Sequence, residues 1–178
     1  ANVYNRADNG AYLGGDGVVL ASSAHTSLGA NQSNILSTAA ALSEAGVEDL
    51  AIDIMDALNS RGLKISLRPK CLIVPTALAF EAERILKSTL QNDTANNAIN
   101  ALRSKGTVPR YDVCHYLTSA TRWHIRTNAP NGMCWFDRKA VEFKRDTDFD
   151  TDNAKAKAYM RLSVGWTDWR GLYTSLAA

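Results

Sequence analysis

The sequence is poor in the residues from which reactive or metal-binding sites are usually built. Its three cysteines, Cys71, Cys114 and Cys134, stand 43 and 20 residues apart. So sparse and odd a set excludes a disulfide framework, and reduced thiols in a cytosolic setting are expected. No C-x-x-C pair occurs, and His25, His115 and His124 fall in no ligand spacing, which argues against zinc. No apolar run approaches the ~18 residues of a membrane span. The longest candidate, residues 71–79, is interrupted by Pro75 and Thr76. The first residues have neither the charged nor the apolar region of a secretory leader. Excess charge is also lacking: 20 Lys and Arg against 18 Asp and Glu leave +2. That balance fits neither a dedicated nucleic-acid neutraliser nor a membrane-attracted surface. There is no repeat and no low-complexity tract.

What the chain does have is the means to fold. Its 178 residues suit one domain, or one domain with a small appendage. A chain of this size buries roughly 70% of the surface it exposes when unfolded. With 46% hydrophobic and 21% charged residues, it is not a disordered chain.

Residues 1–34 are turn-rich, punctuated by Gly10, Gly14, Gly15, Gly17 and Gly29, and predict an extended, surface-hugging arm with one short apolar run, Val18-Val19-Leu20. Val47, Leu50, Ala51, Ile54 and Leu58 then recur at helical spacing behind a Ser43 N-cap, with Gly62 shortly after the stop. Ile52 and Met55 widen that face, so the helix is expected to be well covered. Cys71-Leu72-Ile73-Val74 predicts a buried strand ending at Pro75. Thr76 is a plausible cap for a second amphipathic helix of about four turns, reaching Leu90. Residues 92–97 break it, and Ala98, Ile99 and Leu102 predict a short helix closed by Gly106. Beyond Pro109 the period becomes alternating: Tyr111 to Leu117, Trp123-His124-Ile125, Met133 to Phe136, Val141 with Phe143, and a long run through Ala158, Met160, Leu162, Val164 and Trp166. Helices first and antiparallel strands later predict an α+β fold.

Candidate chemistry is thin. Asp146, Asp148, Asp150 and Asp152 alternate, but the EF-hand positions for Gly and Glu hold Thr151 and Lys157. A solvated loop with Lys144, Arg145, Lys155 and Lys157 as counter-charges is the better reading. Gly14-Gly15-Asp16-Gly17 lacks the Lys-Ser/Thr of a phosphate loop, and a plain turn is preferred. His25 sits beside hydroxyl residues with no motif to supply an orienting carboxylate. Cys114 and His115 are adjacent, so on a strand they point to opposite faces and cannot form a nucleophile–base pair. A core thiol and a partly buried histidine fit better. No G-x-S-x-G is present. Arg110, Arg122, Arg126, Arg138, Lys139, Lys144 and Arg145, interleaved with Trp123, Trp135 and Phe136, read either as a nucleic-acid stripe or as arginines paired with carboxylates across subunit contacts. The modest net charge favours the second.

The order of segments resembles a known family. The run from Gly14 through Asp16, Gly17 and Leu20 to His25 is similar to the "GpDGxxLfsxxH" stretch of the major head proteins of Mu-like tailed phages. Asn34, the helix from Asp49 to Leu58, and Gly62-Leu63-Lys64-Ile65 resemble the segments that come next in those proteins. Pro69-Lys70-Cys71-Leu72-Ile73-Val74-Pro75 resembles the family's "P-x-x-L-I-V-P" strand, and Asn97-Ala98-Ile99-Asn100 a further family feature. Asp146 to Asp152, with Arg161, Gly165, Trp166, Asp168, Trp169, Arg170 and Gly171, resembles the closing strands. The similarity is to the C-terminal part of such proteins. Their long spine helix, extended-loop hairpin and N-terminal region, normally upstream, are not found in these residues.

The resemblance implies the Hong Kong 97 capsid fold. Residues 1–42 would be an extended arm, residues 43–135 mainly the axial domain, and residues 136–178 peripheral-domain strands returning to the axial sheet. It implies a structural protein without catalytic residue, cofactor or metal, which self-assembles into hexamers and pentamers of an icosahedral head around double-stranded DNA. That DNA would be bound weakly and without sequence preference. Portal, scaffold or protease, and decoration proteins are further implied partners. No membrane is implied, and the location is the virion, assembled in the bacterial host cytoplasm. Implied contacts between copies are Asn92, Arg103 and Lys105 near the capsomer centre, and Arg145, Asp146, Asp148 and Asp150 between capsomers. The family's cross-linking chemistry does not carry over, because its extended-loop partner is missing. A nucleic-acid module and, behind it, a small cytosolic enzyme are the alternatives.

Overall fold

The structure, a computed structural model, describes residues 1–91 and 98–177. It is a mixed α+β fold with two sheets. The first has four strands in the order β2-β1-β3-β6, formed by Tyr111–Val113 (β2), Pro69–Val74 (β1), Trp123–Thr127 (β3) and Leu172–Ser175 (β6). Strand β1 runs parallel to β2, pairing Leu72 with Tyr111, and antiparallel to β3, pairing Leu72 with Ile125. Strand β6 runs antiparallel to β3, pairing Tyr173 with Ile125. Leu72, Val74, Trp123, Ile125, Leu172 and Tyr173 are all buried, as central strands covered by the rest of the chain require.

Helix α2, Glu44–Met55, packs its buried stripe of Val47, Leu50, Ala51 and Ile54 into this core. Ser43 caps it, its hydroxyl accepting from the Gly46 N–H at 3.1 Å. The helix is narrower than its sequence promises. Ile52 and Met55 lie on its exposed side, and Leu58 falls beyond its end in a turn where Gly62 takes a left-handed conformation. After β1, a single 3-10 turn at Thr76–Leu78 leads into α3, Ala79–Lys87. Ser88 turns extended and ends α3 before Leu90, so α3 is shorter than four turns. Helix α4, Ala101–Lys105, starts only after Ala98 and Ile99. Asn100 caps it through an N–H of Arg103, and left-handed Gly106 closes it.

Residues 1–34 are irregular and mostly exposed. A one-turn helix, Asn2–Asn5 (α1), opens them, and the rest is turns with two isolated bridges, Leu13 to Val19 and His25 to Gln32. Yet Ala7, Leu20, Ala21, His25 and Asn34 are buried. Asn34 holds the segment in place. Its amide donates to the carbonyls of Leu20 at 2.6 Å and Leu172 at 2.9 Å, while its oxygen accepts from the Ser22 N–H. A buried amide with these partners joins the beginning of the chain to its last strand.

The second sheet is a two-stranded ribbon. Met133–Thr147 (β4) and Ala154–Trp166 (β5) pair with each other and, among the described residues, with no other strand. At the ribbon's base the backbone of Gly132 rests on that of Gly171. A Cβ on Gly132 would come within 2.5 Å of the Gly171 Cα, so both positions exclude a side chain.

Candidate functional site

The ribbon is the feature that the chain's own packing leaves unexplained. Strand β4 has 15 residues, about 50 Å of extended chain. Register sorts its side chains cleanly. One face carries Met133, Trp135 and Phe143 from β4 and Ala154, Ala156, Ala158, Met160, Leu162, Val164 and Trp166 from β5, with Asp137 and Arg145 the charged exceptions. Two β4 residues, Ala140 and Val141, stand opposite Met160, a bulge that adds Val141 to the apolar set and sharpens the twist. The other face pairs Lys139 with Arg161, Lys144 with Lys157, Asp146 with Lys155 and Glu142 with Tyr159.

At its base Met133 and Trp166 pack against the core, but beyond them the apolar face is exposed among the described residues. Trp135 is 64% exposed, Phe143 79% and Met160 56%. A two-stranded ribbon is marginal in water by itself, and contiguous exposed apolar surface marks a contact site. The facing cation pairs on the other side repel. They are partly offset by the Lys139–Glu142 pair at 2.9 Å and by Lys139 lying over the Tyr159 ring at 5.2 Å.

At the tip, Asp148 and Asn153 close the turn by a backbone hydrogen bond, with Asp152 left-handed. Lys155 pairs with Asp148 and holds its carboxyl below the usual range. Phe149 is 100% exposed. Arg145, Asp146, Asp148 and Asp150 thus come together at the ribbon's end, and Arg145 has no ion-pair partner among the described residues. Arg103 and Lys105 sit elsewhere, exposed on α4, with Arg103 donating to the Thr89 hydroxyl. Asn92 lies outside the described residues.

The Arg/aromatic stripe does not survive folding as a stripe. Trp123 is 0% exposed, its indole N–H donating to the Ala40 carbonyl, so no base can stack on it. Trp135 and Phe136 point to opposite faces of the ribbon. Arg122 pairs with Asp8 at 2.8 Å and Arg110 with Asp112 at 3.4 Å.

A polar cluster that the sequence concealed lies in the body. His25 is buried, its Nδ1 2.7 Å from the Asp16 carboxylate and its Nε2 3.3 Å from the Leu20 carbonyl. Its ring stacks on Trp169 at 4.2 Å, and the Arg170 guanidinium lies over that indole at 4.3 Å. Partial burial works to raise the Asp16 carboxyl, but hydrogen bonds from His25 and the Val18 N–H prevail and it titrates below its ordinary value. The orienting carboxylate stands in the glycine turn, nine residues away in no recognised spacing. The cluster ties the first segment to the last turn. His115, expected partly buried, is exposed, because β2 stops at Val113. Cys71 is buried beside Asp112, and burial pushes its thiol up to about 11, away from thiolate reactivity. No group of three or more metal-ligating side chains occurs among the described residues. No helix among them is long and apolar enough to cross a membrane.

No curated protein matches the chain. A family model described as "Phage capsid protein" matches residues 1–175. That family is structural and non-enzymatic, its members building the shell of the virion. An exposed apolar ribbon on a well-packed body is what a shell subunit needs, and over nearly its whole length the chain belongs to the phage capsid protein family.

Proposed function

We propose that this chain is a major capsid subunit of the Hong Kong 97 type, nearest the Mu-like head proteins, that assembles as hexamers and pentamers of an icosahedral head around double-stranded DNA. The observation that carries the reading is the uncovered apolar face of the ribbon, in a chain whose family forms shells. A neighbouring copy would bury Trp135, Phe143, Met160, Leu162 and Val164, and the ribbon would become ordered by assembly. The body, within residues 43–135 and the returning strand, would form the axial domain. The ribbon would belong to the peripheral domain, with Arg145, Asp146, Asp148 and Asp150 at contacts between capsomers. Arg103, Lys105 and Asn92 would face the capsomer centre. The cation-rich face of the ribbon suits loose, sequence-independent contact with packaged DNA. Portal, scaffold or protease, and decoration proteins complete the set of proposed partners, and assembly would take place in the host cytoplasm.

Light scattering with negative-stain imaging tests the reading. Closed particles, or rings of five and six, are expected. A chain that stays monomeric across protein and salt concentrations overturns it. Arg145→Glu is expected to lower particle yield while circular dichroism and melting temperature stay as in the wild type. Normal yield would remove Arg145 from the contact. Single exposed ion pairs contribute little, about 0–1 kcal/mol, so the effect depends on repetition around the shell.

A further inference from the structure

The tip of the ribbon and a cavity in the body are complementary, although one molecule does not bring them together. The cavity lies between α3, α4 and β2 and has a volume of about 450 Å³. Leu86, Leu102 and Val108 give it an apolar floor, and exposed Lys87, Arg103 and Arg110 stand at its rim. Among the described residues Lys87 and Arg103 have no carboxylate partner, and Arg110 shares Asp112 at 3.4 Å. Cationic rim and apolar floor together ask for an aromatic group flanked by carboxylates.

The ribbon's tip presents that group. Phe149 is fully exposed between Asp148 and Asp150, with Asp146 and Asp152 two positions further out. Asp148 is held by Lys155, while Asp150 and Asp152 have no cationic partner among the described residues. Phe149 offers a large apolar ring that a receiving pocket could bury. Size agrees, since an apolar cavity of about 150 Å³ already accepts a benzene ring, which leaves room here for the flanking carboxylates.

We propose that the acidic tip of one copy inserts Phe149 into the cavity of a neighbouring copy, with Asp148 and Asp150 meeting Lys87, Arg103 and Arg110. The contact is head-to-tail: knob and socket are different surfaces of the same chain. It therefore propagates around a ring or across a shell and does not close as a two-fold dimer. The aromatic anchor supplies burial, and the charges set direction and exclude a neighbour docked the other way round. This rests on the proposed shell reading and goes beyond it by naming which surface of one copy receives which segment of the next.

The test is directional cross-linking in the full chain carrying Cys114→Ser and Cys134→Ser. Thr151→Cys is placed beside the knob and Pro109→Cys at the socket, in separate proteins. Mixed under copper-phenanthroline, the two are expected to give a disulfide-linked pair that neither gives alone. Thr151→Cys linking to itself would mean that tips meet tips, and overturns the proposal. A wild type that forms particles while the mixture gives no link overturns it too and leaves the shell reading standing. A wild type that forms no assembly, with no link in the mixture, overturns both. Phe149→Ala is the second variant, with an unchanged melting temperature expected because the ring is fully exposed. Its particle yield should fall roughly tenfold or more, as for an aromatic anchor at the centre of a contact. Arg103→Glu should lose assembly, and Arg103→Glu mixed with Asp150→Lys should recover part of it. Particles at wild-type yield from Arg103→Glu, with lost binding to a duplex oligonucleotide, would assign the socket to nucleic acid and overturn the proposal.

Discussion

The body sheet and the ribbon are written in the same code and end in opposite environments. In β3, Trp123 and Ile125 alternate with their neighbours and are wholly buried. In β5, Met160, Leu162 and Val164 alternate as cleanly and stand in solvent. The body is closed by its own helices and by its first forty residues, whereas the ribbon beyond its base is exposed among the described residues. Alternation shows that a strand has an apolar face, but not whose surface will cover it. Stability of the body is therefore a property of the chain, and that of the ribbon, under the proposed function, a property of the assembly.

The difference is open to direct attack. Trp123→Ala should have the largest effect, about 3–5 kcal/mol lost in urea denaturation, because it removes a large core ring and one of the two donors to the Ala40 carbonyl, the Ser175 hydroxyl being the other. A loss below 1 kcal/mol would mean that the body's core is not where stability resides. Next comes acid. His124 is buried in the sheet, and burial first, then the Arg122 charge, push its pKa down to about 4. In the unfolded chain it takes a proton near 6.5. Between those values the unfolded state binds the extra proton. Stability is thus complete above about pH 6.5 and drains by about 3 kcal/mol as pH falls towards 4. A flat profile over that range, or one left unaltered by His124→Gln, would contradict it.

Gly171→Ala tests the joint between the two regions. A methyl there strikes the Gly132 backbone at 2.5 Å, and a loss of about 1–3 kcal/mol is expected, with the ribbon's base displaced. The smallest effect on folding should come from the ribbon itself. Met160→Ser should change the stability of the chain by less than about 0.5 kcal/mol, since the side chain is exposed, yet lower particle yield. If Met160→Ser unfolds the chain, or leaves assembly untouched, the division between the two regions fails.

Much of the local structure was legible. Ser43 and the stripe of Val47, Leu50, Ala51 and Ile54 announce α2, Cys71 to Val74 announce β1, and Asn100 and Gly106 bracket α4. The misreadings have a common cause. Ile52 and Met55 looked like core, Leu90 like helix and His115 like a half-buried strand residue, because each continues a local pattern that the tertiary structure cuts short. The candidate site was legible only in part. The acidic tip and the apolar alternation stand in the sequence, but the two-residue bulge at Ala140 and Val141 and the full exposure of the face do not.

The sequence by itself determined the order of elements, their caps and the two-faced character of every strand, since these depend on neighbours within about four residues. Only the tertiary structure decided that β1 lies parallel to β2, that Asn34 reaches Leu172, that His25 stacks on Trp169, and that Trp123 is sealed while Trp135 is left open. Those outcomes turn on which distant segments compete successfully for a given apolar face, a contest among contacts far apart in the chain that no local period records.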